Sequence, residues 1–303
     1  MTGAGVASAA PGKAPRALKD YPTPPVSGKQ IADGVDAFAT TFARRVTGTP
    51  AQSAATTSLR DELVSLGYAV QVQTYRGVLQ AVIATKKGTT LPDESIVFGG
   101  HFDVVPQTVT AHYDNGSGTR MVVELARSYA KVKTRRSLVF ALYNGEEEGA
   151  LASEQMAADF AARRVKVSAY LGFDMVGIAW PLGPKATATN ACLCLWRGAR
   201  DEAFDALQAE VNHRFLKFPS GRNQVSIEGR NVRNSDEASW ADAGFPTLRW
   251  AGLRTASTYP QYHQPADDQA TIDTVAGGHA FFEQGLRNTL LSAYYTAAAL
   301  DLK

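Results

Sequence analysis

The spacing of apolar residues changes several times along the chain, and each change predicts a different element of secondary structure. Apolar positions at helical spacing predict a helix over residues 30–46 and a second helix that follows Thr49 as its N-cap. From residue 68 the period becomes two, because Val70 and Val72 alternate with glutamines. This alternation is typical of a half-buried strand near a sheet edge.

Strands and helices alternate over the rest of the chain. The apolar runs predict strands at 79–88, 94–103, 136–144, 167–177, 191–196 and 245–250. Helical spacing predicts helices at 115–131, 150–164 and 201–214, and a last helical element over 272–300. Because helical crossovers connect parallel strands, we predict an α/β fold with a mixed, mainly parallel twisted sheet and helices on both faces.

The start of the chain differs in composition from the rest. Residues 1–27 are rich in Ala, Gly and Pro and lack apolar periodicity, which predicts a flexible N-terminal extension. No repeat or linker interrupts residues 28–303, which predicts a single domain there. The start also lacks the basic and apolar regions of a secretory signal. The sequence as written therefore suggests a cytoplasmic protein, or a secreted one if a signal peptide has been removed, and the location stays open.

Charge and composition exclude several classes of partner. Lys and Arg total 31 against 29 Asp and Glu, so the net charge of +2 cannot hold nucleic acid or an anionic membrane by charge alone. No apolar run approaches the roughly 18 residues that a membrane span needs. The two cysteines, Cys192 and Cys194, alternate within one predicted strand, which favours buried thiols over a disulfide. The sequence gives no prediction of the oligomeric state.

Polar side chains with metal-binding chemistry stand at the ends of predicted strands or in turns. Ligands of open α/β sheets bind at the carboxyl ends of the strands, so these positions are the first candidates for a site. Each of these side chains alone has a common structural explanation, such as a surface ion pair, a solvated loop or a helix cap. Their coincidence at several strand ends favours a metal site. The residues are His101, Asp103, Asp114, Glu146, Glu147, Asp174 and His263.

The residue types also suggest separate roles. Two zinc ions that share a bridging carboxylate need about five ligands, which matches the set His101, Asp114, Glu147, Asp174 and His263. Asp114 precedes an Asn-Gly-Ser-Gly turn and is our candidate for the bridge. Asp103 is expected to orient the imidazole of His101. Neighbouring side chains on an extended backbone point in opposite directions, so Glu146 can face the substrate as general base while Glu147 binds metal.

With these residues assigned, the sequence resembles the dinuclear zinc aminopeptidases, whose relatives include glutamate carboxypeptidase and the glutaminyl cyclases. The resemblance covers most of the chain in the order of that family. Its motifs are GGHFDVVP, YDNGSGT, NGEEEGALAS, GFDMVG, SDEASWADAGFPTL and YHQPADD. The resemblance implies the phosphorylase/hydrolase-like fold of the zinc exopeptidases.

The resemblance also implies how the site works. It assigns His101 and Asp174 to one zinc, Glu147 and His263 to the other, Asp114 to the bridge and Glu146 to the general base. Two Zn²⁺ per chain are therefore expected as cofactors. The implied reaction is hydrolysis of the N-terminal peptide bond of a peptide, or of a related amide, by a water between the two ions, with Glu146 moving the proton.

The sequence departs from the family at two positions, and both were expected to lie near the substrate. Tyr113 stands where Asp or Asn is common, and Glu237 stands where His is common. Arg249 and Tyr262 are candidates for holding the substrate, although strand packing explains both almost as well. The remaining histidines, His112, His213 and His279, are expected to be structural or exposed.

Other functions remain open at this point. Zinc deacylases and carboxypeptidases share motifs such as HFDVVP, but they carry an inserted lid domain and a longer gap between the first His and the bridging Asp. A chain of 303 residues with Asp114 only 13 positions after His101 leaves room for neither. A glutaminyl cyclase needs one working zinc and a pocket rich in tryptophan, a residue type of which the chain has four: Trp180, Trp196, Trp240 and Trp250. A specialised small-molecule amide hydrolase and a metal-free binding module on the same fold are the remaining alternatives.

Overall fold

The computed structural model describes residues 17–180, 192–197, 202–215, 224–230, 233–252 and 259–303. Within them the strands are β1 (Ala69–Thr74), β2 (Gln80–Lys86), β3 (Leu91–His101), β4 (Arg136–Tyr143), β5 (Lys166–Asp174), β6 (Cys192–Arg197), β7 (Gln224–Arg230) and β8 (Thr247–Ala251). The helices are α1 (Gly28–Thr41), α2 (Pro50–Ser65), α3 (Gly118–Tyr129), α4 (Leu151–Ala162), α5 (Glu202–Phe215), α6 (Asp236–Asp242), α7 (Gln269–Ala276) and α8 (His279–Leu302).

The strands form one mixed sheet in the order β1-β2-β4-β3-β5-β8-β6-β7. The central strands β4, β3, β5 and β8 run parallel, while β1 and β2 run antiparallel at one side. β6 is antiparallel to β8 and parallel to β7. The predicted α/β class and the edge position of β1 are therefore confirmed.

Alternating side chains of the central strands enter two separate cores, one on each face of the sheet. Phe98 and Phe140 pack in the larger core, which lies beneath α1, α2, α3, α5 and α8. Val97 and Val139 point to the opposite face, where α4 and α6 cover a smaller core. Burial on both faces explains why β3 and β4 have continuous apolar sequences.

Several predicted boundaries differ from the structure. The first helix ends at Thr41 instead of residue 46, because Arg44 adopts a left-handed backbone conformation (φ 56°) and Arg45 turns into the protein. The last element is two helices, since Gly277 and Gly278 both take positive φ between them. β7 and α6 were not predicted. Among the described helices, none has the length and apolar character needed to cross a membrane.

The predicted flexible extension does not hold for residues 17–27, which pack against α8; residues 1–16 lie outside the described part. Tyr21 and Val26 are both buried. The hydroxyl of Tyr21 donates to Asp301 at 2.5 Å, and Arg287 donates to the carbonyl of Val26 at 2.5 Å. Two isolated apolar side chains give no periodic signal, so the sequence pattern could not reveal this docking. Cys194 is buried in β6, and the side chain of Cys192 lies outside the described residues.

Candidate metal centre

The residues predicted from strand ends come together at one edge of the sheet. His101 ends β3, and Asp174 ends the neighbouring strand β5. Glu146 and Glu147 follow β4, the other neighbour of β3. A close approach of strands makes this possible, because a Cβ atom on Gly100 would lie only 2.7 Å from the carbonyl oxygen of Phe173. The parallel register thus carries the polar strand ends to one place.

The side chains form two groups of metal-ligand type. The first group is His101, Glu146 and Asp174, and the second is Asp114, Glu147 and His263. Within each group, one donor atom from every residue lies within 4.8 Å of the others. Every predicted metal ligand belongs to one of the two groups, and the predicted base Glu146 lies in the first.

Asp114 lies between the two groups. Its Oδ1 is 3.5 Å from Nε2 of His101, while its Oδ2 is 3.3 Å from Nε2 of His263. The same His263 nitrogen is 3.1 Å from Oε2 of Glu147. One carboxylate therefore presents one oxygen to each group, which is the geometry that a bridging ligand needs.

The turn that carries Asp114 is fixed by its neighbour Asn115. The peptide bond between them is cis. The Asn115 amide donates to the carbonyls of His101 (3.2 Å) and Phe173 (2.9 Å), and its oxygen accepts from the N–H of Met175. Asn115 therefore ties the ends of β3 and β5 to the turn.

Asp103 connects His101 to the loop after β4. Its Oδ1 lies 3.4 Å from Nδ1 of His101. Its two oxygens accept from the backbone N–H groups of Glu146 (3.3 Å) and Glu147 (3.4 Å), and from the hydroxyl of Thr47 (3.1 Å). The contact fits the predicted orienting role, and the bonds to the glutamate backbone are an additional function that the sequence did not reveal.

Two buried residues that the sequence prediction missed hold the loops of the site. Asp267 accepts from the backbone N–H groups of Tyr113 (3.0 Å) and Asp114 (2.9 Å). Arg45 donates to the carbonyls of Phe102 (2.5 Å) and Ala111 (3.0 Å), and burial lowers its pKa to about 10. Asp267 stands within the motif YHQPADD, so the motif contained the signal. Arg45 has no such sequence signal.

A third missed residue, Asp236, adds a buried carboxylate beside the first group. It begins α6 and is buried. Burial raises its pKa to about 7, the charge of His101 opposes the shift, and the charges of Asp103 and Asp174 add to it. Its position after Ser235 in the motif SDEASW could have marked it as a candidate.

The electrostatics of the centre favour a bound cation. Burial raises the pKa of Glu146 well above its ordinary value, and the charge of Asp174 adds to this shift against the opposing effect of His101. Burial, together with the charge of Asp114, raises the pKa of Glu147 to about 7. The carboxylates of the two ligand groups lie close together with too few cationic side chains to balance them, and a bound metal ion would provide the missing positive charge.

The donor atoms fit zinc. Imidazole nitrogens and carboxylate oxygens are ordinary zinc ligands. In the described part of the chain, buried donor atoms of four predicted ligands have no hydrogen-bond partner: Nε2 of His101, Oδ2 of Asp114, Oε1 of Glu147 and Nε2 of His263. Buried polar atoms are otherwise nearly always satisfied. The backbone of His263 is left-handed (φ 55°), a conformation that costs on the order of 1–3 kcal/mol and is common at functional sites.

The remaining candidates lie outside the two groups. His112 is buried and contacts Thr110 and Asp36, whereas His213 and His279 are exposed, as predicted. The ring of Tyr262 stacks on that of His263 at 3.8 Å.

The two positions that depart from the family are both buried. Tyr113 is fully buried and accepts a hydrogen bond from Trp180. Glu237 is fully buried beside Arg249. Both side chains therefore belong to the interior of the described structure, and their position near the substrate stays a prediction.

A cavity of about 410 Å³ adjoins the first group. Glu146 forms one wall, and small side chains such as Ala150 and Ser239 form another. Arg233 and Asp242 stand at its edge and form an ion pair with each other. The cavity offers space next to the predicted base.

Comparisons with known proteins agree with this geometry. The family profile described as "Peptidase family M28" matches residues 81–282, more than half of the chain. Aminopeptidase YwaD of Bacillus subtilis is 26% identical over 195 residues, which are 62% of this chain and 39% of that protein. A probable zinc metalloprotease of Pyricularia oryzae is 31% identical over 263 residues, 76% of this chain and 51% of that protein. The chain spans only 23% to 39% of the length of the first curated relatives that it matches.

Solved structures share the fold. The LapA aminopeptidase of Legionella pneumophila superposes with a TM-score of 0.72 at 17% identity, covering 94% of this chain and 74% of that chain. The glutaminyl cyclase of Porphyromonas gingivalis superposes with a TM-score of 0.67 at 18% identity, covering 91% and 97%. Since proteins with different reactions share this architecture, the fold alone does not decide between them.

Proposed function

Because the chain belongs to peptidase family M28, we propose that it is a zinc-dependent aminopeptidase that hydrolyses the N-terminal peptide bond of peptides with two zinc ions per chain. The observation that carries this proposal is the position of Asp114, with one oxygen toward His101 and the other toward His263. A shared carboxylate between two ligand groups supports two ions rather than one.

In this proposal each ion has three ligand residues from the chain. His101 and Asp174 hold one ion, Glu147 and His263 hold the other, and Asp114 is shared. Zinc at these positions supplies Lewis acidity, which makes water more acidic and a carbonyl more electrophilic.

The chain's own residues carry the proton. Glu146 removes a proton from the attacking water and delivers it to the leaving amine, so no covalent intermediate is needed. Burial raises its pKa above the ordinary value of a glutamate, which favours acceptance of a proton. Asp103 holds the imidazole of His101 and the backbone of Glu146 in one arrangement.

The charge around the site supports an aminopeptidase over a carboxypeptidase. A free amino terminus is cationic, and the buried Asp174 and Asp236 and the partly buried Glu146 place carboxyl groups beside the reacting position. A carboxypeptidase instead needs a cation for the terminal carboxylate of its substrate. Among the described residues at the site, Arg45 is occupied by backbone carbonyls, Arg233 is paired with Asp242, and Arg249 is paired with the buried Glu237.

The tryptophans argue against glutaminyl cyclase activity. Trp180, Trp240 and Trp250 are buried in the core, where Trp240 stacks on Tyr170 and Trp250 on Phe173. Within the described residues, these three rings therefore do not line an open pocket. The peptide or amide remains the proposed substrate.

Matched substrates test the proposal. Leucyl and N-acetyl-leucyl p-nitroanilides are assayed with protein as purified, after treatment with a chelator, and after zinc is restored, and bound zinc is counted by elemental analysis. We expect two zinc ions per chain and zinc-dependent release of nitroaniline from the free-amine substrate alone. Release of acetate from the blocked substrate would instead establish a deacylase. Bound zinc without cleavage of either would point to a specialised amide, and absence of bound zinc would favour the binding module.

A further inference from the structure

A buried arginine and glutamate lie directly behind the first ligand group. Arg249 and Glu237 are 2% and 0% exposed. The Nη1 atom of Arg249 lies 3.1 Å from both carboxylate oxygens of Glu237 and donates to Oδ1 of Asn234 at 2.6 Å. The same Nη1 lies 3.9 Å from Oδ2 of Asp174. The guanidinium of Arg249 therefore lies between its ion-pair partner Glu237 and the predicted zinc ligand Asp174.

The two oxygens of Asp174 face different partners. Oδ2 faces Arg249, while Oδ1 lies 3.9 Å from Nε2 of His101 on the side of the ligand group. β8 places the arginine there, because Arg249 pairs with Gly172 in the register of β5, two residues before Asp174. A cation behind one oxygen fixes the rotation of the carboxylate and leaves the other oxygen for the ligand group.

Stability alone does not explain the arginine. Buried ion pairs contribute little net stability, because the desolvation of both charges offsets their attraction. The Nε atom of Arg249 is also buried without a hydrogen-bond partner in the described part of the chain. Each buried donor without a partner adds a desolvation cost that packing does not offset.

Glu237 and Asn234 explain why Arg249 stays at 3.9 Å from Asp174 rather than at hydrogen-bond distance. They take the donor Nη1 that would otherwise move onto Asp174 and compete with a metal for its charge. The backbone N–H of Asn234 donates to Glu237 at 3.2 Å, which holds the acceptor in place. The glutamate thus restrains the arginine.

We infer that Arg249, restrained by Glu237 and Asn234, is a positioning residue that directs Oδ1 of Asp174 toward the zinc of the first ligand group. The inference rests on the proposed zinc function and gives a role to Glu237, one of the two positions where this chain departs from its family. It makes the pair a determinant of zinc affinity rather than of substrate binding.

Zinc affinity measured by competition with a chromophoric chelator, with thermal unfolding alongside, tests the inference. The variants are Arg249→Met, Glu237→Gln and the double variant, which removes both charges and restores a neutral interior. We expect one of the two zinc ions to bind about 10- to 100-fold more weakly in Arg249→Met and in the double variant. The melting temperature of the double variant should lie above that of Arg249→Met.

The matched control is Arg136→Met. Arg136 is also buried and pairs with a glutamate, Glu94, at 2.9 Å. It lies at the start of β4, at the end of the strands that is far from the ligand groups. This variant should lower the melting temperature without changing zinc affinity. If the double variant binds both ions as tightly as the native protein, Arg249 is structural and the inference is overturned, while the proposed function stands. If the native protein binds no zinc, the proposed function fails and the inference fails with it.

Discussion

Asp267 holds the backbone of Asp114 from the opposite side of the site. Its Oδ2 accepts from the N–H of Asp114 at 2.9 Å, and its Oδ1 accepts from the N–H of Tyr113 at 3.0 Å. The hydroxyl of Tyr259 donates to the same Oδ1 at 2.6 Å. Both oxygens are thus used as acceptors, and the position of the shared carboxylate depends on them.

Asp267→Asn is expected to lower both stability and zinc content. The amide would turn a donor toward a backbone N–H, which leaves a buried donor unsatisfied at a cost of about 1–3 kcal/mol. The turn that carries Asp114 should then relax. Urea unfolding of the protein freed of metal and zinc counting after dialysis measure the two effects separately.

The neighbouring Asp268 provides the control. It caps α7 by accepting from the N–H of Thr271 at 2.9 Å, and its side chain makes no hydrogen bond to the Asp114 turn within the described residues. Asp268→Ala should cost about 1 kcal/mol of stability and leave zinc content unchanged. Equal loss of zinc in both variants would contradict the specific role of Asp267.

Asp103→Asn is expected to weaken catalysis through His101. Removal of its charge weakens the contact with Nδ1 of His101 and the acceptance of two backbone N–H groups in the following loop. We expect a loss of about 10- to 100-fold in zinc affinity or in kcat/KM. Asp93→Asn, at an exposed position in β3, the strand that precedes Asp103, should change neither quantity. If Asp103→Asn keeps the native zinc affinity and kcat/KM, Asp103 does not orient His101.

Glu146→Gln separates a base from a ligand. Glu146 lies within the first ligand group, with Oε2 at 3.9 Å from Nε2 of His101, so distance alone does not separate the two roles. As general base, its loss should reduce kcat by about 10²–10⁴ while both zinc ions remain. The adjacent Glu148 is exposed, and Glu148→Gln should keep full activity. Loss of one zinc ion from Glu146→Gln would instead make it a ligand.

Strand ends could be predicted because burial makes them conspicuous. Apolar runs such as those before His101 and Asp174 predict central strands. A charged residue at the end of such a run would be costly to bury unpaired, which indicates a partner or a ligand. Parallel strands then bring their carboxyl ends to one edge. The candidates His101, Glu146, Glu147 and Asp174 followed from this logic, whereas Asp114 and His263 stand in turns and were identified by their residue types and motifs.

Contacts between side chains of different elements could not be predicted in this way. Arg249 and Glu237 were each noticed, but their pairing depends on how β8 and α6 pack. α6 has seven residues, too short to show helical periodicity. Arg45 followed a helical pattern, and its use of backbone carbonyls is decided by tertiary structure.

Tyr21 anchors the N-terminal segment to the end of α8. Its hydroxyl donates to Asp301 at 2.5 Å, and Asp301 also accepts from the backbone N–H groups of Arg135 (2.9 Å) and Arg136 (2.6 Å). Tyr21→Phe should therefore lower the free energy of unfolding by about 1.5–3 kcal/mol, the usual contribution of a hydrogen bond to a charged group. Zinc content should stay unchanged, because the site lies at the other end of the strands.

The same hydroxyl predicts a pH dependence. Burial raises the pKa of Tyr21, and its bond to Asp301 adds to the shift, so the folded protein keeps this proton where the unfolded chain has lost it. Its contribution is therefore fully present below the unfolded pKa of about 10 and is lost as pH rises above it. Urea unfolding between pH 8 and pH 11 should show a steeper loss of stability in the native protein than in Tyr21→Phe.

Tyr75→Phe is the control. The Tyr75 hydroxyl is buried without a hydrogen-bond partner in the described part of the chain, so its removal should cost no stability at pH 8. Equal stability of native protein and Tyr21→Phe at pH 8 would mean that the anchor depends on the ring of Tyr21 alone.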